Sequence, residues 1–192
     1  MIAVIKYNSG NTKSVLNALF RIGANPIITD DAEIISRAEK IIFPGVGEAG
    51  SAMAYLKKTK LDNAIKKLHQ PFLGICLGMQ LLCSHSEEGD TECIGIFNEK
   101  IKKFPPGQKI PHMGWNTISN LKSPLFKNIP AHQDVYFVHS YFAELGKETI
   151  ATSGHGIEFS AALQKNNFFG VQFHPEKSAA AGELILQNFL SL

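Results

Sequence analysis

The run Pro71-Phe72-Leu73-Gly74-Ile75-Cys76-Leu77-Gly78-Met79-Gln80-Leu81-Leu82 decides the reading of this chain. Its first half is a short apolar stretch behind a proline, the pattern of a buried strand. Its second half, Leu77 to Cys83, is rich in helix formers and places Leu77, Leu81 and Leu82 on one face. Between them Gly74-Ile75-Cys76-Leu77-Gly78 has the spacing of a nucleophile elbow, a tight strand-to-helix turn that exposes one reactive side chain. The two glycines let neighbouring backbone come close without a Cβ in the way. A thiol at that junction stands at a helix N-terminus, where unpaired N–H groups favour the thiolate and can also receive an oxyanion. The alternative for Cys76 is a buried core cysteine.

Bulk properties narrow the setting. With 192 residues the chain suits one domain spanning 1–192, long enough for a sizeable core. Hydrophobic residues make up 44% and charged residues 19%, as in ordinary globular proteins. The net charge of +2 gives no electrostatic case for nucleic acid or an acidic membrane surface. Lys6 interrupts the first apolar residues too early for a secretory signal, and no apolar run approaches a membrane span. Three cysteines without paired spacing fit a reducing, cytoplasmic setting better than a disulfide framework. Cys83 and Cys93 carry no motif and read as structural.

Outward from the elbow, strands and helices alternate. Ile2 to Ile5, Pro26 to Thr29 and Lys40 to Phe43 read as strands. Thr12 can cap a helix that puts Val15, Leu16, Leu19, Phe20 and Ile22 on one face and ends at Gly23. Asp30 and Asp31 open a short helix to about Arg37, and helical segments follow at Ser51–Lys58 and Leu61–Leu68. This alternation predicts right-handed βαβ units and a mostly parallel sheet in an α/β fold. Ser84 to Asp90 is polar and predicts a surface loop. Beyond Asn98, Ile101–Phe104, Trp115–Ile118, Val135–Phe142, Thr149–Ser153, Phe159–Leu163 and Phe168–Phe173 predict strands forming an antiparallel extension, and Leu184 to Leu190 marks a closing helix.

A nucleophilic cysteine needs a base, and the base an orienting acceptor. His174-Pro175-Glu176 follows the last strand, with His174 able to take the thiol proton and Glu176 able to hold the imidazole in the right tautomer. His69, His85, His112, His132, His139 and His155 lack an adjacent acid and metal-ligand spacing, which argues against a zinc site. Gly45-Val46-Gly47-Glu48-Ala49-Gly50 matches the dinucleotide fingerprint. It follows the third strand, carries an acid inside it, and the next strand ends in Cys76 rather than a ribose-binding acid. No cofactor is expected; the glycines equally suit backbone N–H groups brought against a substrate carbonyl.

Pro44-Gly45-Val46-Gly47, the Cys76 elbow through Gln80 and His174-Pro175-Glu176 together resemble class I (triad) glutamine amidotransferases, whose fold is flavodoxin-like. Tyr7-Asn8-Ser9-Gly10-Asn11, His112-Met113-Gly114-Trp115-Asn116, Val138-His139-Ser140-Tyr141-Phe142 and Gln172 to Ser178 resemble the glutaminase subunits of imidazole glycerol phosphate synthases. Lys6 and Asn8 depart from that pattern, where an acidic residue and a glycine are common. The resemblance implies hydrolysis of glutamine to glutamate and ammonia by Cys76, His174 and Glu176. It implies an oxyanion site at Leu77 and the Val46–Gly47 region, and glutamine binding by Gln80 and the backbone of Ser140 and Tyr141. It also implies a (β/α)₈-barrel cyclase partner that receives the ammonia in histidine biosynthesis, with Trp115 and Lys177 on the partner-facing surface. Alternatives are a paralogue supplying ammonia for sugar amidation in surface-polysaccharide synthesis, a stand-alone Cys-elbow hydrolase, and a silent binding subunit. The intact set Cys76, His174 and Glu176 argues against the last.

Overall fold

The computed structural model describes residues 1–8 and 12–192. Ser9, Gly10 and Asn11, part of the Tyr7 to Asn11 segment, lie outside the described residues. Five parallel strands make the centre, in the order β2 (Pro26–Thr29), β1 (Ile2–Ile5), β3 (Lys40–Gly45), β4 (Phe72–Cys76) and β13 (Phe168–Val171). Beyond β13 the pairing turns antiparallel through β12 (Glu158–Lys165), β10 (Tyr141–Ala143) and β7 (Lys100–Lys103), with β11 (Thr149–Gly154) paired on β12. The mostly parallel sheet with an antiparallel extension is therefore present.

Strand alternation sorts the core into two layers. Ala3 and Ile5 of β1, with Ile41 and Phe43 of β3, pack against α2 (Ala32–Arg37), α3 (Ala49–Thr59), α4 (Leu61–Ile65) and α5 (Leu77–Leu82). Val4, Ile42, Leu73 and Ile75 face the other way, against α1 (Thr12–Arg21) and α6 (Ala179–Leu190). Such a sheet has to be covered on both faces because its strands are apolar on both. The helix ends follow local chemistry. Asp31 caps α2, its Oδ1 accepting from Glu33 N at 2.8 Å, and Gly23, at φ +79°, ends the first helical segment.

Five expectations need correction. Phe168 to Val171, expected in the antiparallel extension, is β13 of the parallel centre, paired parallel with β4 and antiparallel only with β12 on its other edge. Ser84 to Asp90 is not all loop: β5 (His85–Ser86) pairs with β6 (Thr91–Glu92) and extends the sheet beyond β7. Val135–Phe142 is two strands in two sheets. β9 (Gln133–His139) forms a separate hairpin with β8 (His112–Ile118), and the chain crosses to β10 in the large sheet at Ser140. Continuous apolar patterning hides such a change of sheet because each half keeps its own alternation. Phe20 is half exposed, while Ala18 takes the buried place beside Val15 and Leu19. Thr12 begins the helix rather than preceding it, so the capping position falls outside the described residues.

Candidate active site

Parallel strands deliver their carboxyl ends to one edge of the sheet, and the predicted chemistry collects there. The ends of β3, β4 and β13 bring Val46 and Gly47, Cys76 and Leu77, and His174 around a cavity of about 270 Å³. Gln80, Glu88, Val138, His139, Ser140 and Tyr141 complete most of its wall.

The elbow has the strained geometry its sequence implies. Cys76 sits at φ 54°, ψ −111°, directly before the first residue of α5. A non-glycine residue holds such a conformation only when its surroundings enforce it, at a cost of order 1–3 kcal/mol. The enforcement comes from glycines beneath the helix. Gly74 of β4 is in register with Phe43 of β3 and Gly170 of β13. A Cβ on Gly74 would lie 2.8 Å from the Gly78 carbonyl and Met79 N, one on Gly170 would strike Met79, and one on Gly78 would overlap the Phe43 carbonyl. The first turn of α5 thus rests on bare backbone, with the thiol lifted over the strand ends.

The base is held as rigidly. His174 N donates to Tyr136 O at 2.9 Å, Ser178 Oγ donates to His174 O at 2.7 Å, and Tyr136 N donates to Ser178 Oγ at 2.9 Å. This pins the triad loop to β9. His174 Nδ1 lies 2.8 Å from Glu176 Oε1, and both side chains are almost fully buried. With Nδ1–H donating to the carboxylate, Nε2 is left for Cys76, its polar neighbour in the cavity. Burial alone would lower the His174 pKa. The charges and hydrogen bonding of Cys76 and Glu176 outweigh it and raise the value to about 10. The site therefore favours an imidazolium between sulfur and carboxylate. Cys83 and Cys93 differ: burial pushes the Cys83 thiol well up and that of Cys93 up to about 12.

The glycine-rich segment is occupied by protein carboxylates. Glu48 caps α3, accepting from Gly50 N and Ser51 N at 2.7 Å each, and Glu88 Oε2 accepts from Ala49 N at 2.9 Å. Those amides are the ones a pyrophosphate would need, which removes the physical basis of the dinucleotide reading. Gly47, at φ +111°, adopts a conformation that favours glycine and borders the cavity beside Cys76.

Every predicted pocket residue is thus in one place, while Trp115 and Lys177 lie outside the cavity lining. Trp115 is 56% exposed on β8, which excludes a core role, and Lys177 is exposed with Nζ 5.8 Å from the centre of the Tyr136 ring. His85 has an acid after all, 2.9 Å from Asp90 Oδ1 across a turn. Sequence reasoning passed over Gln172, His112 and His139. All three are buried polar groups, and each hydrogen-bonds a side chain distant in sequence.

An elbow cysteine, a His–Glu pair and glycine-lined strand ends on this sheet define a class of enzyme. The chain matches the family described as glutamine amidotransferase class-I over residues 3–192, and it belongs to that family. It is 54% identical over 194 residues to the imidazole glycerol phosphate synthase subunit HisH of Bacteroides fragilis, covering 100% of this chain and 99% of that protein. It is 53% identical over 194 residues to the subunit of the same name from Bacteroides thetaiotaomicron, with the same coverage. A solved structure described as a glutamine amidotransferase shares the fold with a TM-score of 0.78 at 14% identity, over 100% of this chain and 98% of the other.

Proposed function

We propose that this chain, as one glutaminase domain over residues 1–192, is the ammonia-producing subunit of a cytoplasmic imidazole glycerol phosphate synthase. The observation that carries the reading is a single cavity holding the left-handed Cys76, at the head of α5, and the buried His174–Glu176 pair. The shared name of the relatives favours this branch over sugar amidation.

Cys76 Sγ, having passed its proton to His174, attacks the side-chain amide carbon of glutamine. The developing oxyanion is received by the Leu77 N–H and an N–H of the Val46–Gly47 segment, worth about 10²–10³ in rate per donor. His174 gives its proton to the amide nitrogen, the C–N bond breaks, and ammonia leaves with a γ-glutamyl thioester behind. His174 then takes a proton from water, which attacks the thioester and releases glutamate and the thiol. Glu176 holds the imidazole and stabilises its charged form throughout. Gln80 and the Ser140–Tyr141 backbone hold the amino-acid end of the substrate. Ammonia protonated by water is no longer a nucleophile, so it has to pass directly to a (β/α)₈-barrel cyclase subunit, docked across exposed Trp115 and Lys177. That subunit uses it to form imidazole glycerol phosphate and an aminoimidazole carboxamide ribotide.

Glutamate release is to be measured for the isolated chain, for its complex with the cyclase, and for the complex with an acceptor analogue. We expect little turnover alone and strong stimulation in the liganded complex, because a glycine-flanked peptide at Val46–Gly47 can present either a carbonyl or an N–H to the oxyanion. Equal turnover in all three leaves a plain glutaminase. No glutamate in any of them overturns the assignment.

A further inference from the structure

Behind the cavity, side-chain hydrogen bonds run from the nucleophile into the β8–β9 hairpin. Gln172 is fully buried in the segment after β13. Its Nε2 donates to Cys76 Sγ at 3.7 Å, and its Oε1 accepts from Gln80 Nε2 at 2.9 Å. Gln80 Nε2 also donates to Tyr141 O at 3.0 Å, and that same carbonyl lies 2.7 Å from His139 Nδ1. A backbone carbonyl only accepts, so His139 carries its proton on Nδ1 and offers Nε2 as an acceptor. His112 Nδ1 donates to it at 2.9 Å, and His112 Nε2 accepts from Asn116 Nδ2 at 3.1 Å. The second hydrogen of Asn116 Nδ2 goes to Gly154 O at 2.8 Å.

The directions of these bonds have a chemical consequence. Both amide hydrogens of Gln80 are committed inside the protein, so the atom it has left for the cavity is Oε1, an acceptor suited to a cationic ammonium. Gln172 is the residue that ties this orientation to the sulfur. Its amide nitrogen donates to Cys76 Sγ, whose thiol in turn donates to Val138 O at 3.8 Å, and unlike His174 it gives up no proton.

We propose that Gln172 is a positioning residue for both halves of the site: it donates to the Cys76 sulfur and holds Gln80 with its oxygen toward the substrate's ammonium. The neutral His112–His139 pair supports it by fixing the carbonyl that Gln80 shares. The proposal rests on the glutaminase reading of the cavity.

The test uses the complex with the cyclase, measuring kcat and KM for glutamine and the pH dependence of Cys76 alkylation. Gln172→Glu keeps an acceptor for Gln80 but loses the donor to sulfur and adds negative charge beside it. We expect kcat to fall about 10- to 100-fold, KM to stay within about threefold, and the alkylation profile to move to higher pH. Gln172→Met loses both contacts, so KM rises as well, by roughly tenfold. Ammonia-dependent synthesis by each complex reports that the variant subunit is folded and docked. If both variants lose kcat alike with wild-type KM and an unmoved alkylation profile, Gln172 is only structural and the proposal fails. Should either variant fail to fold, His139→Asn and His139→Phe take their place. Asn can still donate to Tyr141 O and is expected to keep KM, whereas Phe raises it; equal KM values overturn the proposal. A wild-type complex that releases no glutamate refutes the glutaminase reading instead.

Discussion

Acid should weaken this protein through His112 and His139. Both rings are buried, which lowers the pKa of His112 to about 4 and that of His139 to about 3. Protonating His139 on Nε2 also sets two N–H groups against each other across the 2.9 Å contact between the rings, and protonating His112 on Nε2 does the same against Asn116 Nδ2 at 3.1 Å. A depressed histidine pKa means that the stabilisation is present above the unfolded value of about 6.5 and is lost as pH falls toward the folded value. Within that window the size depends on the unfolded pKa alone, about 1.4 kcal/mol per pH unit for each ring. Between pH 7 and 5 the pair therefore removes about 4 kcal/mol, a large share of the ~5–15 kcal/mol that holds a typical domain together. Other groups act in the opposite sense over the same range. Burial holds the Glu99 carboxyl up at about 7, and His174 is raised to about 10. The measurement is accordingly a difference. Urea unfolding of the wild type and of a His112→Asn, His139→Gln double variant is compared at pH 7, 6 and 5. We expect the wild-type advantage to shrink by about 4 kcal/mol from pH 7 to 5. An advantage that does not change with pH would refute the neutral pair.

Cys76→Ala should abolish glutamine hydrolysis, by at least about a thousandfold, while ammonia-dependent synthesis by the complex continues. A glutamine-analogue alkylating agent should label Cys76 and spare Cys83 and Cys93, whose thiols burial keeps protonated; mass spectrometry finding the label on either would sink the assignment. His174→Ala should stop both acylation and deacylation, with Glu176→Gln milder, and equal severity would give Glu176 more than an orienting role. Because the raised His174 pKa keeps the ring of the free enzyme charged until pH rises through about 10, the alkaline limb of kcat/KM should lie above the ordinary histidine range. Glu176→Gln should bring it down, and a limb near pH 6.5 in the wild type would contradict the ion-paired geometry. Gly47→Ala, at φ +111°, should slow turnover by about 10²-fold and cost about 1–3 kcal/mol of stability, which steady-state kinetics and thermal unfolding together check.

How far the sequence could be read depended on the range of the interactions. Strand, elbow and helix around Cys76 are local, and the glycines at 74 and 78 announce close backbone packing because no other residue tolerates it. His174 and Glu176 sit two residues apart, so their pairing was legible as well. The sheet change at Ser140 was not, since Val135 to Phe142 is a nearly continuous apolar run with no strict period, and only long-range pairing shows that the buried positions pass from Val135, Phe137 and His139 to Phe142. Gln172 and His139 were equally hidden. Gln172 meets Cys76 96 residues away in sequence and His139 meets His112 27 away, and a glutamine or histidine in an apolar strand carries no local sign of its partner. His85 and Asp90, five residues apart across an unforeseen hairpin, were hidden by the turn rather than by distance.

The backbone of Cys76 has a further consequence. At φ 54°, ψ −111° the residue that suits the chain best is glycine, which has no thiol. Stability and chemistry therefore select opposite residues at the same position. Drift toward a more stable fold would tend to erase the nucleophile, and a subunit that had lost its catalytic duty could gain stability by becoming inert. Keeping a sulfur there is a standing sign that turnover is still under selection.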